Sequence, residues 1–296
     1  MSRRAVAPPG EPRRVAYLYL LPALAVFALF VLAPLAHSVW LSLFEWDGVT
    51  PGTWVGLANY GQVVSDPELR SAFGHSLVLV GFYAVLPVII GLVLAAAMSR
   101  ARVRGLALFR TVLFLPQVIA LVVVGVMWRM IYAPEGGLLN EGLGAVGLGG
   151  QDWLGSFSLA LPSVGLIGAW VMYGLAMVLL LAGVQKIPQS LYDAARVDGA
   201  GPVREFFTVT LPGLRNEVAV ALTLTTIQAL RTFDIVYVTT GGGPGNSTSV
   251  PAYEVYDRAF RGGDVGTASA IGVYIVALIF VLVFLINRIA ERETAR

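Results

Sequence analysis

Five stretches of this chain, residues 15–44, 71–99, 111–128, 153–185 and 265–287, contain no Asp, Glu, Lys or Arg. Each is long enough to cross a bilayer as a helix, which takes roughly 20 apolar residues rising about 1.5 Å apiece. A sixth stretch, 218–253, is interrupted only by Arg231 and Asp234, and its helical part is expected to end near Val238. The runs predict an all-α polytopic membrane protein whose six transmembrane helices, at 15–39, 71–98, 108–131, 157–182, 214–238 and 267–287, form one bundle. Composition agrees: 13% of side chains are charged, against about 25% in an ordinary soluble domain.

The basic residues orient that bundle. With the N-terminus inside, the cytoplasmic pieces hold Arg3, Arg4, Arg13 and Arg14, then Arg100, Arg102, Arg104 and Arg110, then Lys186, Arg196, Arg204 and Arg215, then Arg288, Arg292 and Arg296. Arg70, Arg258 and Arg261 fall in outer loops, and Arg129 and Arg231 lie within or at the end of spans. An inner excess of this kind is the positive-inside signature, and one span more or fewer would scramble it. Residues 1–14 and 288–296 then read as cytoplasmic tails flanking a membrane domain at 15–287. The first apolar run exceeds the about 7–15 residues of a signal peptide and reads as a retained helix.

Several chemistries are not supported. There is no cysteine, and a net charge of +2 is too small to point to nucleic acid. His37 and His75 have no second ligand at metal spacing, and no nucleophile–base pair or carboxylate dyad suggests an enzyme, so neither a metal nor a catalytic site is expected. A phosphate-binding loop needs Gly-Lys followed by Ser or Thr. Lys186, the only lysine, sits in Gln185-Lys186-Ile187, and the glycine run at 241–245 reads as an outer turn. Pro34, Pro87, Pro116 and Pro162 are expected to bend helices. Trp40, Trp46, Trp54, Trp128 and Trp153 suit an outer interfacial belt.

The inner segment 185–212 is far longer than the usual 2–8-residue helix connection. Pro188 suits a helix start and Gly199 a left-handed C-terminal cap. Leu191, Ala194, Ala195 and Asp198 lie between them at helical spacing, and Pro202 can open a second helix through Phe206 and Phe207. Physics alone leaves two readings, a hairpin projecting into the cytoplasm or a structured loop lying at the interface.

The run Asp193-Ala194-Ala195-Arg196-Val197-Asp198-Gly199-Ala200, continuing to Leu211-Pro212, resembles the EAA loop of binding-protein-dependent ABC importer permeases. Asp193 departs from the family's usual Glu. Leu20-Leu21-Pro22, Gly56-Leu57-Ala58-Asn59-Tyr60, Gly137-Leu138-Leu139-Asn140 and Phe233-Asp234 with Thr240-Gly241-Gly242-Gly243-Pro244 extend the resemblance to the maltose-type and glycerol-phosphate-type group. The resemblance implies a MetI-like bundle whose coupling helix, carrying Asp193, Ala194, Ala195, Asp198, Gly199, Leu211 and Pro212, docks into a cytoplasmic ATPase. It also implies a homologous second permease, two ATP-binding cassette subunits holding the ATP and magnesium, and an extracytoplasmic solute-binding protein. The setting would be a bacterial or archaeal cytoplasmic membrane, and this chain would need no cofactor of its own.

Polar groups inside a bilayer are costly and usually face a cavity or a neighbour. Thr225, Gln228, Ala229 and Thr232 form one stripe on the fifth expected span. The stripe suits either a sugar or interhelical packing. By resemblance it lines a sugar site whose adjoining wall is Trp170, Met172 and Tyr173. Arg231 either neutralises Asp234 on one helix face or stands free for an anionic solute such as a glycerol phosphodiester, since guanidinium matches phosphate oxygens. The competing functions are an ion- or proton-coupled carrier with an Arg231–Asp234 relay, and a membrane scaffold.

Overall fold

The computed structural model describes residues 13–100 and 105–294. Arg3, Arg4, Arg102, Arg104 and Arg296 lie outside them. Among the described residues the only strands are β1 (Phe44–Glu45) and β2 (Thr53–Trp54), an antiparallel pair with Phe44 opposite Trp54. The helices, in order, are α1 (13–41), α2 (Ala58–Ser65), α3 (67–100), α4 (Leu106–Val118), α5 (Leu121–Ile131), α6 (Leu138–Ala145) and α7 (Ala160–Val184). They continue as α8 (Gln189–Val197), α9 (202–213), α10 (Arg215–Leu230), α11 (Asp234–Thr239), α12 (251–261) and α13 (Val265–Thr294).

Proline shapes three of them. A π-helical turn interrupts α1 at Ala28–Leu32, α3 at Gly81–Val85 and α9 at Phe206–Thr210. Each turn is followed within two residues by a proline, Pro34, Pro87 or Pro212. Proline offers no N–H to the carbonyl four residues back and its ring collides with that carbonyl. Widening the preceding turn relieves the collision. Pro162 sits in the first turn of α7, where its missing N–H has no partner to lose, and it bends nothing.

Four helices are long and apolar enough to cross a membrane: Tyr19–Leu41, Pro67–Met98, Ala160–Val184 and Val265–Glu291. The expected third span is not straight, because α4 and α5 meet at 96° across Ile119 and Ala120, just beyond Pro116. Counting that pair as one crossing makes five candidate spans among the described residues, one short of the six expected. The expected fifth span also divides. Its α10 has 16 residues, about 24 Å at 1.5 Å each, short of a hydrocarbon core of about 30 Å. The helix ends where the sequence turns polar, and α11 restarts with Asp234 in its first turn, where a carboxylate complements the helix dipole. The last helix runs past Asn287 to Thr294, and the outer segments expected as loops contain α2, α6 and α12.

Helix α7 is the axis of the bundle. It is apolar on every side, as a helix enclosed by neighbours must be, and 67% of its spanning window is buried, against 0% for α1. Its N-terminal half packs Val164, Ile167 and Val171 against Leu79, Tyr83 and Val236, and its C-terminal half packs Met177 and Leu180 against Val88, Ala95 and Leu214. The α3 and α7 backbones lie close: a Cβ at Gly91 would stand 2.8 Å from the Met177 backbone nitrogen. Small residues allow such approaches in membranes, where dispersion contacts replace hydrophobic driving force.

Candidate functional site

Two features carry chemistry: the exposed hairpin between α7 and α10, and a cavity within the bundle.

The hairpin is a local structure. Helix α8 begins after Pro188 and ends in a Schellman cap: Gly199 N–H donates to the Arg196 carbonyl at 3.0 Å and Ala200 N–H to the Ala195 carbonyl at 2.9 Å. This cap needs a left-handed residue, which Gly199 supplies at φ +76°. Pro202 stands at the first position of α9, as its spacing predicts. Arg196, which the sequence reading did not single out, joins the two helices through Nε to Glu205 Oε1 at 2.8 Å, and the Glu205 carboxylate is buried. Tyr192 and Thr210 add a hydroxyl contact at 3.1 Å. The signal for the ion pair was a basic and an acidic residue nine apart across a Gly-Ala-Gly-Pro turn, visible only once the hairpin geometry is known.

No residue of α8 is buried. Asp193 is exposed and turns to its own helix, meeting Arg196 at 3.5 Å and Gln189 at 3.2 Å. Ala194 and Asp198 are exposed, Ala195 half-buried, Leu211 half-buried and Pro212 exposed. Leu191, Val197, Val203 and Phe207 present apolar side chains outward, Val197 at 88% exposure.

The cavity is an intersection. It measures about 120 Å3 and is lined by Tyr83, Leu121, Met172, Gln228, Arg231, Thr232, Phe233, Asp234 and Ile235. Three irregularities meet there: the π turn of α3 holding Tyr83, the α4–α5 break just before Leu121, and the α10–α11 break at 231–233. Interrupted helices at membrane depth are tolerated only where the freed backbone is buried in protein or lines a cavity.

Of the expected solute residues, the structure brings Met172, Gln228, Arg231 and Thr232 together here. It places three elsewhere. Thr225 is fully buried and donates to the Ala221 carbonyl at 2.7 Å. Trp170 packs edge-on to Trp128 at 5.6 Å, and Tyr173 is half-buried on α7, off the cavity lining. Tyr83, Leu121, Phe233 and Ile235 were not foreseen; Pro87 was the available sign that α3 is irregular near Tyr83. The Tyr83 hydroxyl faces Thr232 without a well-formed hydrogen bond, while Thr232 donates to the Gln228 carbonyl at 3.0 Å. Arg231 and Asp234 do not share a helix face, because α10 ends between Leu230 and Arg231, and no ion pair joins them.

The family model described as the binding-protein-dependent transport system inner membrane component matches residues 87–296. The chain belongs to this family. This permease is 39% identical over 277 residues to the probable ABC transporter permease YurN of Bacillus subtilis (strain 168), covering 92% of this chain and 94% of that one. It is 36% identical over 281 residues to the trehalose/maltose transport system permease MalF of Thermococcus litoralis, covering 92% of each. Its fold matches, at TM-score 0.80 and 22% identity over 94% of this chain and 95% of the other, a bacterial ABC transporter involved in the import of the acidic polysaccharide alginate. The permease is thus an ABC transporter membrane subunit with the MetI-like fold, a transport component and not an enzyme.

Proposed function

We propose that this permease imports a carbohydrate through the cavity beside Gln228 and Thr232, driven by ATP hydrolysis on separate subunits that grip the 185–212 hairpin. One observation carries the reading: three helix irregularities converge on a cavity bearing polar side chains in the chain that also displays a capped, uncovered hairpin. A neutral sugar asks for hydroxyl and amide partners, which Thr232, Gln228 and Tyr83 offer. The trehalose/maltose permease relative supports that class.

In this reading the hairpin and both termini face the cytoplasm. A homologous second permease completes the pathway, two ATP-binding cassette subunits hold the ATP and magnesium, and an extracytoplasmic binding protein delivers the solute. Closure of the ATPases moves the hairpin, and the hairpin moves α7 and α10, which flank it in sequence. The cavity of about 120 Å3 has room for roughly four waters at about 30 Å3 each. It must widen to admit a sugar. An ion-coupled relay through Arg231 and Asp234 is not favoured, given the family and the absence of that ion pair.

A second solute class has one observation behind it, the exposed Arg231 beside the cavity with no ion-pair partner among the described residues. That geometry suits an anionic solute such as a glycerol phosphodiester. Uptake of a panel of disaccharides, oligosaccharides, polyols and glycerol phosphodiesters, measured with and without this subunit, tests the assignment. Accumulation that persists after every companion ATPase is removed would refute the energy source.

A further inference from the structure

A second cavity, of about 480 Å3, lies beyond the far ends of α5 and α11 and is lined in part by Arg129, Tyr132, Asp152, Thr239 and Pro244. Two sequence motifs with no place in the mechanism above meet at it. In the first, Gly137-Leu138-Leu139-Asn140, the Asn140 side chain is a hub. Its Nδ2 donates to the Gln151 carbonyl at 2.9 Å, and its Oδ1 accepts from Gln151 N–H at 3.0 Å and from Trp153 Nε1 at 2.9 Å. Only glycine fits at 137, because a Cβ there would fall within van der Waals overlap of the Ala133 carbonyl oxygen. The hub fixes the backbone on both sides of Asp152. In the second motif, Thr240 to Pro244, Thr248 Oγ1 clamps the turn by donating to the Gly243 carbonyl at 2.7 Å and contacting Thr240 Oγ1 at 2.8 Å, so that Thr240, Gly243 and Pro244 form the opposite wall.

Opposite charges face this space without pairing. Among the described residues Arg129 makes one hydrogen bond, Nη1 to the Val238 carbonyl at 3.3 Å, and no ion pair joins it to Asp152. Asp152 Oδ1 accepts from Gly155 N–H at 2.8 Å, and Oδ2 has no partner among the described residues. Beside them Tyr132 and Trp153 pack with ring centroids 5.8 Å apart and planes tilted by 31°. A fork of donors, a carboxylate acceptor and an aromatic edge around one opening form the set that vicinal sugar hydroxyls satisfy. The volume also falls in the roughly 300–1,000 Å3 range of small-molecule sites, which the inner cavity does not reach.

The two cavities are lined from the same two helices, α5 through Leu121 and Arg129, and α11. Ile235 lines the inner one and Thr239 the outer one, four residues or about 6 Å apart along α11. We propose that the outer cavity is a second carbohydrate subsite, occupied before the inner one, in which a sugar ring bridges Arg129 and Asp152 beside Tyr132. This rests on the carbohydrate reading of the inner cavity.

The test uses the assembled transporter in nanodiscs without its binding protein, titrated with maltose and with trehalose while tryptophan fluorescence is followed. ATP-driven uptake of the same sugars is measured in parallel in proteoliposomes supplied with the binding protein. A saturable response is expected. The double variant Arg129→Gln, Asp152→Asn should raise its half-saturation at least about tenfold, as loss of two charge-assisted bonds implies. Gln228→Ala should leave it within about twofold, as for a separate site. If the double variant fails to assemble, Asp152→Asn alone carries the test, since Asn can keep the turn bond to Gly155. An unchanged half-saturation in the variant, or uptake by the wild type with no fluorescence response, overturns the subsite and leaves the inner-cavity reading standing. No response and no uptake of either sugar overturns both for these disaccharides.

Discussion

The proposed coupling hairpin and the proposed solute cavity are built in opposite ways. Everything that shapes the hairpin lies within about thirty consecutive residues: a proline start, a Schellman cap on Gly199, a second proline start and one ion pair across the turn. The cavity draws on α3, α5, α7, α10 and α11, and no two of its walls are neighbours in sequence except at the α10–α11 break. The hairpin should therefore fail at single backbone positions, while the cavity should respond gradually, side chain by side chain.

The sharpest way to break that contrast is Gly199→Val. A β-branched residue at φ +76° carries strain of about 1–2 kcal/mol, and loss of the two capping bonds adds about 1 kcal/mol each. Together these, about 3–4 kcal/mol, correspond to roughly 100- to 1,000-fold in the population of the native hairpin. ATP-driven uptake should fall by about that factor while membrane insertion, followed by protease protection, is unchanged. Normal uptake by a well-expressed variant would remove the hairpin from the coupling mechanism.

In the cavity, Arg231→Gln should separate solute classes. A phosphodiester that used the guanidinium would lose about 10–100-fold in uptake, from a charged bond of about 1.5–3 kcal/mol. A neutral disaccharide would change by no more than about fivefold, the scale of one neutral hydrogen bond. Equal losses for both would mean that Arg231 supports the fold and not the solute. Thr225→Val tests the stripe from its other end. Its hydroxyl is spent on the Ala221 carbonyl in the buried interior, so uptake should stay within about twofold, as for a site apart from the solute.

The smallest effect concerns the N-terminal end of α3. Burial pushes the Asp66 carboxyl up, but the Glu68 N–H and then the Arg258 guanidinium at 2.6 Å outweigh it and hold it below the ordinary value of 3.8. A depressed carboxyl adds stability that is complete above its unfolded value and lost as pH falls through its folded value. Thermal stability of the assembled protein should therefore be insensitive to this contact at neutral pH and decline below about pH 4. Asp66→Asn, which can retain the helix cap, should flatten that acid limb. An unaltered limb would show that the Asp66–Arg258 contact, 192 residues apart in the chain, does not hold α12 to α3.

Much of this was readable in advance because bilayer length and proline chemistry act locally. Apolar runs located the four long helices, and Pro188, Gly199 and Pro202 located the hairpin to within a residue. The α10–α11 break was half visible: Arg231 and Asp234 marked the place, but a continuous helix with both charges on one face fitted the same letters. Thr225 shows the limit of helical periodicity. It belongs to the stripe of Gln228 and Thr232 by spacing, yet neighbouring helices close over it and leave only the end of the stripe beside the cavity.

By itself the sequence determined that the chain enters a membrane, that its regular structure is nearly all helical, and that a capped helical hairpin joins α7 to α10. Those properties depend on transfer from water to lipid and on backbone preferences, which act over a few turns. Only the tertiary structure decided which polar side chains share a space, that Arg231 and Asp234 stand apart, and that Asn140 braces a second cavity. Such placements depend on how separate helices cross and where they break, and no single segment encodes that.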